Sequence, residues 1–418
     1  MARGGVSRMN VLPGKRHRWP SRRSPLRTAL VVLVVLILGP LSWIAIGSPV
    51  PPGTVGGTGA GPLARALPRV VGNLTAGYGA IAMALDPVSG DIFVANAGSV
   101  NVTVIDGSTD SVVGSFPEAS GVCSLVYDPD NNDLYAVNVW NNNVSVVNAT
   151  TFSRVATIKT YLSSALAVDP RSGDVYVANA NGTVAVVNGT SNRARGWVHV
   201  GGDPDGVAYE PRSDEIFVTN LTGTVVTAIN GTNRSVAARI DVGRPSATIA
   251  YDPASDWIVT SAAGYYAVGY ASAPSLHLIN GSSNIQFRHP YVGPSGPSSG
   301  VGRIVSGPSL NPSNGDVFVT TDADQYFVVS GRTGRVIGTG GTGYAPGDPI
   351  FDSRTGYILV PNAGSSNLTI LSSFSRAIVG SLAVPGSPFT GLYDPLNGEV
   401  YLIDAARIGS YSPITIVR

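Results

Sequence analysis

Residues able to do chemistry are sparse in this 418-residue chain, and their spacing argues against most reactions. The histidines are His17, His199, His277 and His289, and none sits in a His-x-x-His or His-Glu pair. A histidine-rich copper or zinc centre therefore cannot be assembled from them. Asp128-Pro-Asp-Asn-Asn-Asp133 matches the opening of a calcium loop. It lacks the glycine at the sixth place, and Val139 stands where the bidentate glutamate belongs, so it reads as a turn. Cys123 is the only cysteine; it excludes an intrachain disulfide and reads as a small buried hydrophobe rather than a nucleophile. No catalytic set, metal or cofactor is expected from these residues.

Tyrosine and asparagine do gather. Tyr265, Tyr266 and Tyr270 lie in one irregular stretch, residues 262–274. His289 and Tyr291 lie in a second, residues 289–302, with Arg303 at its edge. A tyrosine has a flat apolar body and a polar tip, suited to stacking on a sugar or burying in a protein interface. These six residues are the candidate ligand-binding set. Asn-x-Ser/Thr acceptor motifs are dense, and Asn101, Asn143, Asn148, Asn188, Asn230, Asn280 and Asn367 are the candidate glycosylation positions. Asn-Gly-Thr/Ser is also hairpin code, which alone accounts for Asn181, Asn188, Asn230 and Asn280. It does not account for Asn101, Asn143 and Asn367, which stand where a strand begins.

The elements that must position these residues come from one repeated stretch. Residues 169–190 read DPRSGDVYVANANGTVAVVNGT. Asp169-Pro170 opens a turn, DVYVAN alternates as a strand, Asn181-Gly182 reverses it, VAVVN returns, and Asn188-Gly189 reverses again. The Asp-Pro marker or a degenerate form of it recurs at Asp86, Asp128, Asp169, Glu210, Asp252, Asn311, Asp352 and Asp394. The steps are 41 or 42 residues, except for 59 between Asp252 and Asn311. A period near 40 with four strands per unit predicts an all-β propeller of eight four-stranded blades, with seven as the alternative. In each unit the inner strand A precedes the Asp-Pro marker, and B, C and the outer strand D follow. B–C and D–A connections then emerge on one face, and A–B and C–D turns on the other. The excess between Asp252 and Asn311 falls in a B–C and a D–A connection, so the candidate ligand-binding residues share one face. The last unit stops at Arg418 without a D strand, while residues 68–74, PRVVGNL, look like an orphan one. That strand would close the ring and remove its open edges.

Charge and hydropathy divide the chain further. Eight of the 27 basic residues lie within residues 1–27, which hold no acid; the remainder carries 19 bases against 26 acids. A mildly acidic remainder disfavours nucleic acid as a partner. Residues 29–47, from Ala29 to Gly47, read ALVVLVVLILGPLSWIAIG without a charge. At 1.5 Å per residue they span roughly 28 Å, a hydrocarbon core. They are longer than the apolar core of a cleaved signal and end in a weak cleavage site. The expected order is a basic cytoplasmic tail (1–28), a membrane anchor (29–47), a Pro/Gly linker (48–67) and a propeller (68–418). The basic flank orients the propeller outside.

DIFVAN at 91–96, DVYVAN at 174–179 and EIFVTN at 215–220, with their intervening turns, resemble the YVTN-type propeller repeat. The resemblance covers about residues 68–418, and DWIVTSAA at 256 and YILVPN at 357 depart from it. It implies an exported or surface-layer protein whose role is surface structure, adhesion or partner binding, and it carries no catalytic residues. A membrane-anchored module for a protein or glycan partner is therefore expected. An extracytoplasmic lactonase- or quinoprotein-like enzyme is the alternative.

Overall fold

The computed structural model describes residues 66–418, apart from 119–120, 263–274, 289, 291–303, 305 and 405–409. These residues form eight four-stranded antiparallel sheets, an all-β propeller. In the third blade strand A is Ser163–Asp169, B is Asp174–Asn179, C is Thr183–Asn188 and D is Arg193–His199. The β-branched and aromatic side chains of B and C suit a pleated surface covered on both sides. The irregular fifth unit and the sixth each supply four strands, which excludes seven blades. In the last sheet Val70–Tyr78 takes the outer position beside Tyr411–Val417. Val70 faces Val417, and Leu74 faces Ile414.

The outer strands share one irregularity. Where D pairs with C, a single residue bulges out of register: Val113, Val155, Arg195, Val379 and, in the N-terminal strand, Val71. Such a bulge bends an exposed edge away from flat edge-to-edge pairing. Residues 70–74, VVGNL, and 112–116, VVGSF, carry the same bulge in nearly the same letters.

The core lies between blades rather than at the axis. Phe93 and Val102 of the first blade pack with Leu125 and Leu134 of the second. Tyr401, Ile403, Ile414 and Ile416 of the last blade pack with Met83, Ile92 and Ile105 of the first. Each fully buried aliphatic side chain there contributes roughly 1.5–3 kcal/mol.

Polar links reinforce these joints on the Asp-Pro side. The acid opening strand B meets a donor from the next blade's C–D turn. Asn192 Nδ2 donates to Asp133 Oδ2 (2.8 Å), and Asn284 Nδ2 donates to Glu215 Oε2 (2.8 Å). Arg234 Nε lies 2.6 Å from Asp174 Oδ2, and Arg376 Nε lies 2.8 Å from Asp316 Oδ2. All four donors are left-handed, with φ between 51° and 62°. A non-glycine residue enters that region at a cost, so the joint is worth holding. The A–B turns repeat a second device: Asp169 accepts from the Arg171 N–H (2.9 Å) and the Ser172 hydroxyl (2.6 Å). Asp86 does the same with Val88 and Ser89 (both 2.8 Å). Asp128 accepts from the Asp130 N–H (3.1 Å), so the calcium-like stretch folds as this same turn.

Among the described residues no helix is long and apolar enough to cross a membrane. Residues 29–47 lie outside the described residues.

Candidate ligand-binding face

The opposite face is built from B–C and D–A connections. In the first, second, third and seventh blades strand B ends there in a buried asparagine that ties down strand C. Asn96 Nδ2 donates to Asn101 Oδ1 (3.1 Å) and Thr103 Oγ1 (2.9 Å). Asn138 does the same to Asn143 (3.1 Å) and Ser145 (2.9 Å), and Asn362 to Asn367 (2.9 Å) and Thr369 (3.0 Å). Residues i and i+2 of a strand share a face, so both acceptors meet one amide. The Asn-x-Ser/Thr spacing at Asn101, Asn143 and Asn367 is thus a cross-strand ladder, the structural account the sequence alone did not supply. Asn148, Asn188, Asn230 and Asn280 end strand C on the other side of the disc. Their side-chain oxygens cap turns, as Asn188 does for the Ser191 N–H (2.7 Å).

On the same face several large rings stand exposed. Trp140 occupies one 3-10 turn, Val139–Asn141, closed by Asn142 in a left-handed conformation (φ 52°). The Val139 N–H donates to Gly121 O (3.1 Å), and Leu162 N–H donates to Asn142 Oδ1 (2.7 Å). A Cβ on Gly121 would stand 1.8 Å from the indole, so the ring rests directly on that backbone. Tyr344 repeats the arrangement with the connections exchanged. Its ring lies on Gly364, where a Cβ would come within 2.1 Å. The Tyr344 N–H donates to Ser365 Oγ (3.1 Å), and its carbonyl accepts from Gly364 (3.0 Å). Tyr411 packs on Tyr78 with ring centroids 4.4 Å apart and planes tilted by 30°. Tyr161 stands on the D–A connection into the third blade, its N–H bonded to Asn179 Oδ1 (3.3 Å). Trp140 is 39% exposed, Tyr161 45%, Tyr411 60% and Tyr344 67%. A flat ring backed by protein and open on one side is a stacking surface.

On the same face, strand A of the fourth blade begins beside two acids, half-buried Asp203 and buried Asp205. Asp205 opens strand A of the fourth blade; burial, with Asp203 beside it, pushes its carboxyl well above the usual range. Burial raises Asp203 to about 6. Cys123, on strand A of the second blade, is buried, and burial with the Asp205 charge raises its thiol to about 12. A thiol held protonated is inert as a nucleophile. Among the described residues no three His, Cys, Asp or Glu side chains are grouped to hold a metal.

Tyr265, Tyr266, Tyr270, His289, Tyr291 and Arg303 lie outside the described residues. Their flanking strands are described: Trp257–Ala262 and Leu276–Asn280 bound the first stretch, and Ile285–Arg288 precedes the second. The sequence reading passed over Trp140, Tyr161, Tyr344 and Tyr411, because their connections have ordinary length. A signal was present: an aromatic stands in NVWNNN at 138–143 where the first blade has NAGSVN at 96–101.

No protein-family model matches the chain, and no curated protein matches it in sequence. Solved structures do match in shape. Hydrazine synthase from Kuenenia stuttgartiensis is 15% identical, with a TM-score of 0.53 over 69% of this chain and 94% of that one. Dihydro-heme d1 dehydrogenase NirN, in complex with DHE, is 14% identical, with a TM-score of 0.59 over 72% and 66%. BamB from Moraxella catarrhalis is 11% identical, with a TM-score of 0.60 over 84% and 100%. At these identities the likeness is one of fold, and it places the chain among eight-bladed propellers.

Proposed function

We propose that this chain is a YVTN-type, membrane-anchored propeller displayed outside the cytoplasm, holding a protein or glycan partner against its B–C/D–A face. The carrying observation is the set of exposed rings seated on that face, two of them resting on glycine backbone. Tyr265, Tyr266, Tyr270, His289, Tyr291 and Arg303 extend the same face in our reading, because strand alternation delivers both of their connections to it. The uncharged run 29–47 with its basic flank supports the anchor. The pairing of Val70–Tyr78 with Tyr411–Val417 would hold the ring shut. Glycans on Asn148, Asn188, Asn230 or Asn280 would leave the ring face clear, whereas those on Asn101, Asn143 or Asn367 would border it.

Capture of a partner from intact cell envelope tests this. Trp140→Ala with Tyr344→Ala, or alanine at Tyr265, Tyr266 and Tyr270, should each weaken capture by tenfold or more, on the order of 1.4 kcal/mol. The melting temperature should not move. Unaltered capture by both variant sets would eliminate this face. Protease added to the same cells should destroy the propeller and spare the tail; a soluble form beginning near Ser48 would overturn the anchor.

A further inference from the structure

One joint in the ring sets an acid where its counterpart has an amide. Between the second and third blades, Tyr135 donates its hydroxyl to Asn192 Oδ1 (2.7 Å), and Asn192 Nδ2 donates to Asp133 Oδ2 (2.8 Å). Between the last blade and the first, the same positions are Tyr401, Asp110 and Glu399. Tyr401 donates to Asp110 Oδ1 (2.6 Å), and Asp110 is left-handed (φ 52°) like its counterparts. Asp110 has the shape of asparagine but no N–H to give Glu399. The Tyr401 oxygen also lies 3.3 Å from Glu399 Oε2 and accepts from Asn397 Nδ2 (2.9 Å). Its single proton cannot serve two carboxylates. Two acids thus face one tyrosine hydroxyl, at positions where the four joints described above pair an acid with an amide or a cation.

We propose that the joint between the last and first blades is a proton-held latch, in which Glu399 keeps a proton beside the Asp110 carboxylate and its loss loosens the ring. That proton replaces the amide hydrogen that Asn192 supplies between the second and third blades. Other groups around the pair modulate it. Arg418 Nη2, at the end of strand C, lies 2.6 Å from Glu399 Oε1 and favours the charged form. Asp394, in the last blade's A–B turn, feels the Asp110 charge and favours the protonated form. Asn397 also bridges the joint, donating to Gly107 O (2.7 Å). Burial first, then Asp110, lift the Glu399 carboxyl from its ordinary 4.5 to about 7. The sign follows. Folded Glu399 keeps a proton that the unfolded chain releases, so the joint is strongest below the ordinary carboxylate range. That strength is lost as pH rises through about 7.

Hydrogen exchange on the full chain at pH 5 to 8, corrected for the intrinsic pH dependence of amide exchange, tests the latch. Amides of Val70–Tyr78 and Tyr411–Val417 should exchange about tenfold faster at the upper end, while those of Arg193–His199 should not change. Asp110→Asn supplies the missing N–H and should flatten the response. Asn192→Asp should create a second pH-dependent joint, between the second and third blades. If Asp110→Asn proves unfolded, Glu399→Gln supplies an amide from the other side and should flatten it equally. A wild-type response that is flat, or one that persists unchanged in the amide variant, overturns the proposal.

Discussion

The two faces of the disc use the same sequence repeat in opposite ways. On the Asp-Pro face most blades carry one code: an acid caps the A–B turn, and an acid or aromatic opening strand B meets the neighbouring blade. Asp169 with Ser172 and Asp86 with Ser89 are interchangeable in role. On the B–C/D–A face the buried asparagine ladder repeats, but what it supports does not. Trp140 on Gly121, Tyr344 on Gly364 and Tyr411 on Tyr78 each occur once. Repetition in a propeller therefore marks structural roles, and departure from repetition marks positions free to acquire a ligand. Loops held on a rigid frame are where such departures are tolerated.

The largest effect is expected from removing a carboxylate on the regular face. Asp174 is buried, lies 2.8 Å from Arg195 Nε and 2.6 Å from Arg234 Nε, and so links two blades. Asp174→Ala should cost about 3 kcal/mol, the low end for breaking a buried pair, because both arginines keep partial access to water. Urea denaturation measures it. A loss under about 0.5 kcal/mol, typical of an unremarkable surface site, would show that the repeated acids do not hold the joints.

A smaller effect is expected where the regular code reaches under the irregular face. Asn138 is buried and donates to Asn143 and Ser145. Asn138→Ala leaves both acceptors unpaired and should cost about 1–2 kcal/mol. It should also free the Trp140 turn, visible as a red shift in tryptophan emission after the other tryptophans are replaced. Loss of stability with an unmoved Trp140 signal would separate the ladder from the ring it is argued to position.

Much of this architecture was legible in the letters. Asp-Pro spacing located all eight inner strands, and residues 68–74 read as an orphan D strand because the last unit lacks one of its own. The repeat's polar letters also have readable jobs once the fold is seen. In DVYVAN the acid meets the next blade, the tyrosine hydroxyl reaches its turn, as Tyr176 does to Gly231 O (3.4 Å), and the asparagine holds strand C. What stayed hidden was pairing across blades. Arg234 and Asp174 are 60 residues apart, and nothing local in either turn names the other. Left-handed positions were equally opaque, because Asp110, Phe152, Arg234 and Arg376 fill a conformation usually marked by glycine or asparagine. The candidate site was half legible. Excess length drew attention to residues 262–274 and 289–302, whereas Trp140 and Tyr344 owe their exposure to a glycine on a different connection, which length does not reveal.

Removing the exposed rings should cost the fold least. Trp140 and Tyr344 are large, yet both are exposed, and each covers a glycine rather than plugging the core. Their removal leaves no cavity among packed side chains, so the cost of large-to-small core substitution does not apply. Trp140→Ala and Tyr344→Ala should each shift stability by no more than about 0.5 kcal/mol, the range of ordinary surface changes. Burying a ring of that size in a core would make its loss cost roughly 3–5 kcal/mol. Thermal melting of the two variants beside Asp174→Ala decides between these. If either ring proves as costly as the buried carboxylate, it belongs to the frame, and the face it stands on has no more claim to a ligand than the regular one. If both prove nearly neutral, two large apolar rings are held in water by dedicated glycines without supporting the fold, which is what a contact surface requires.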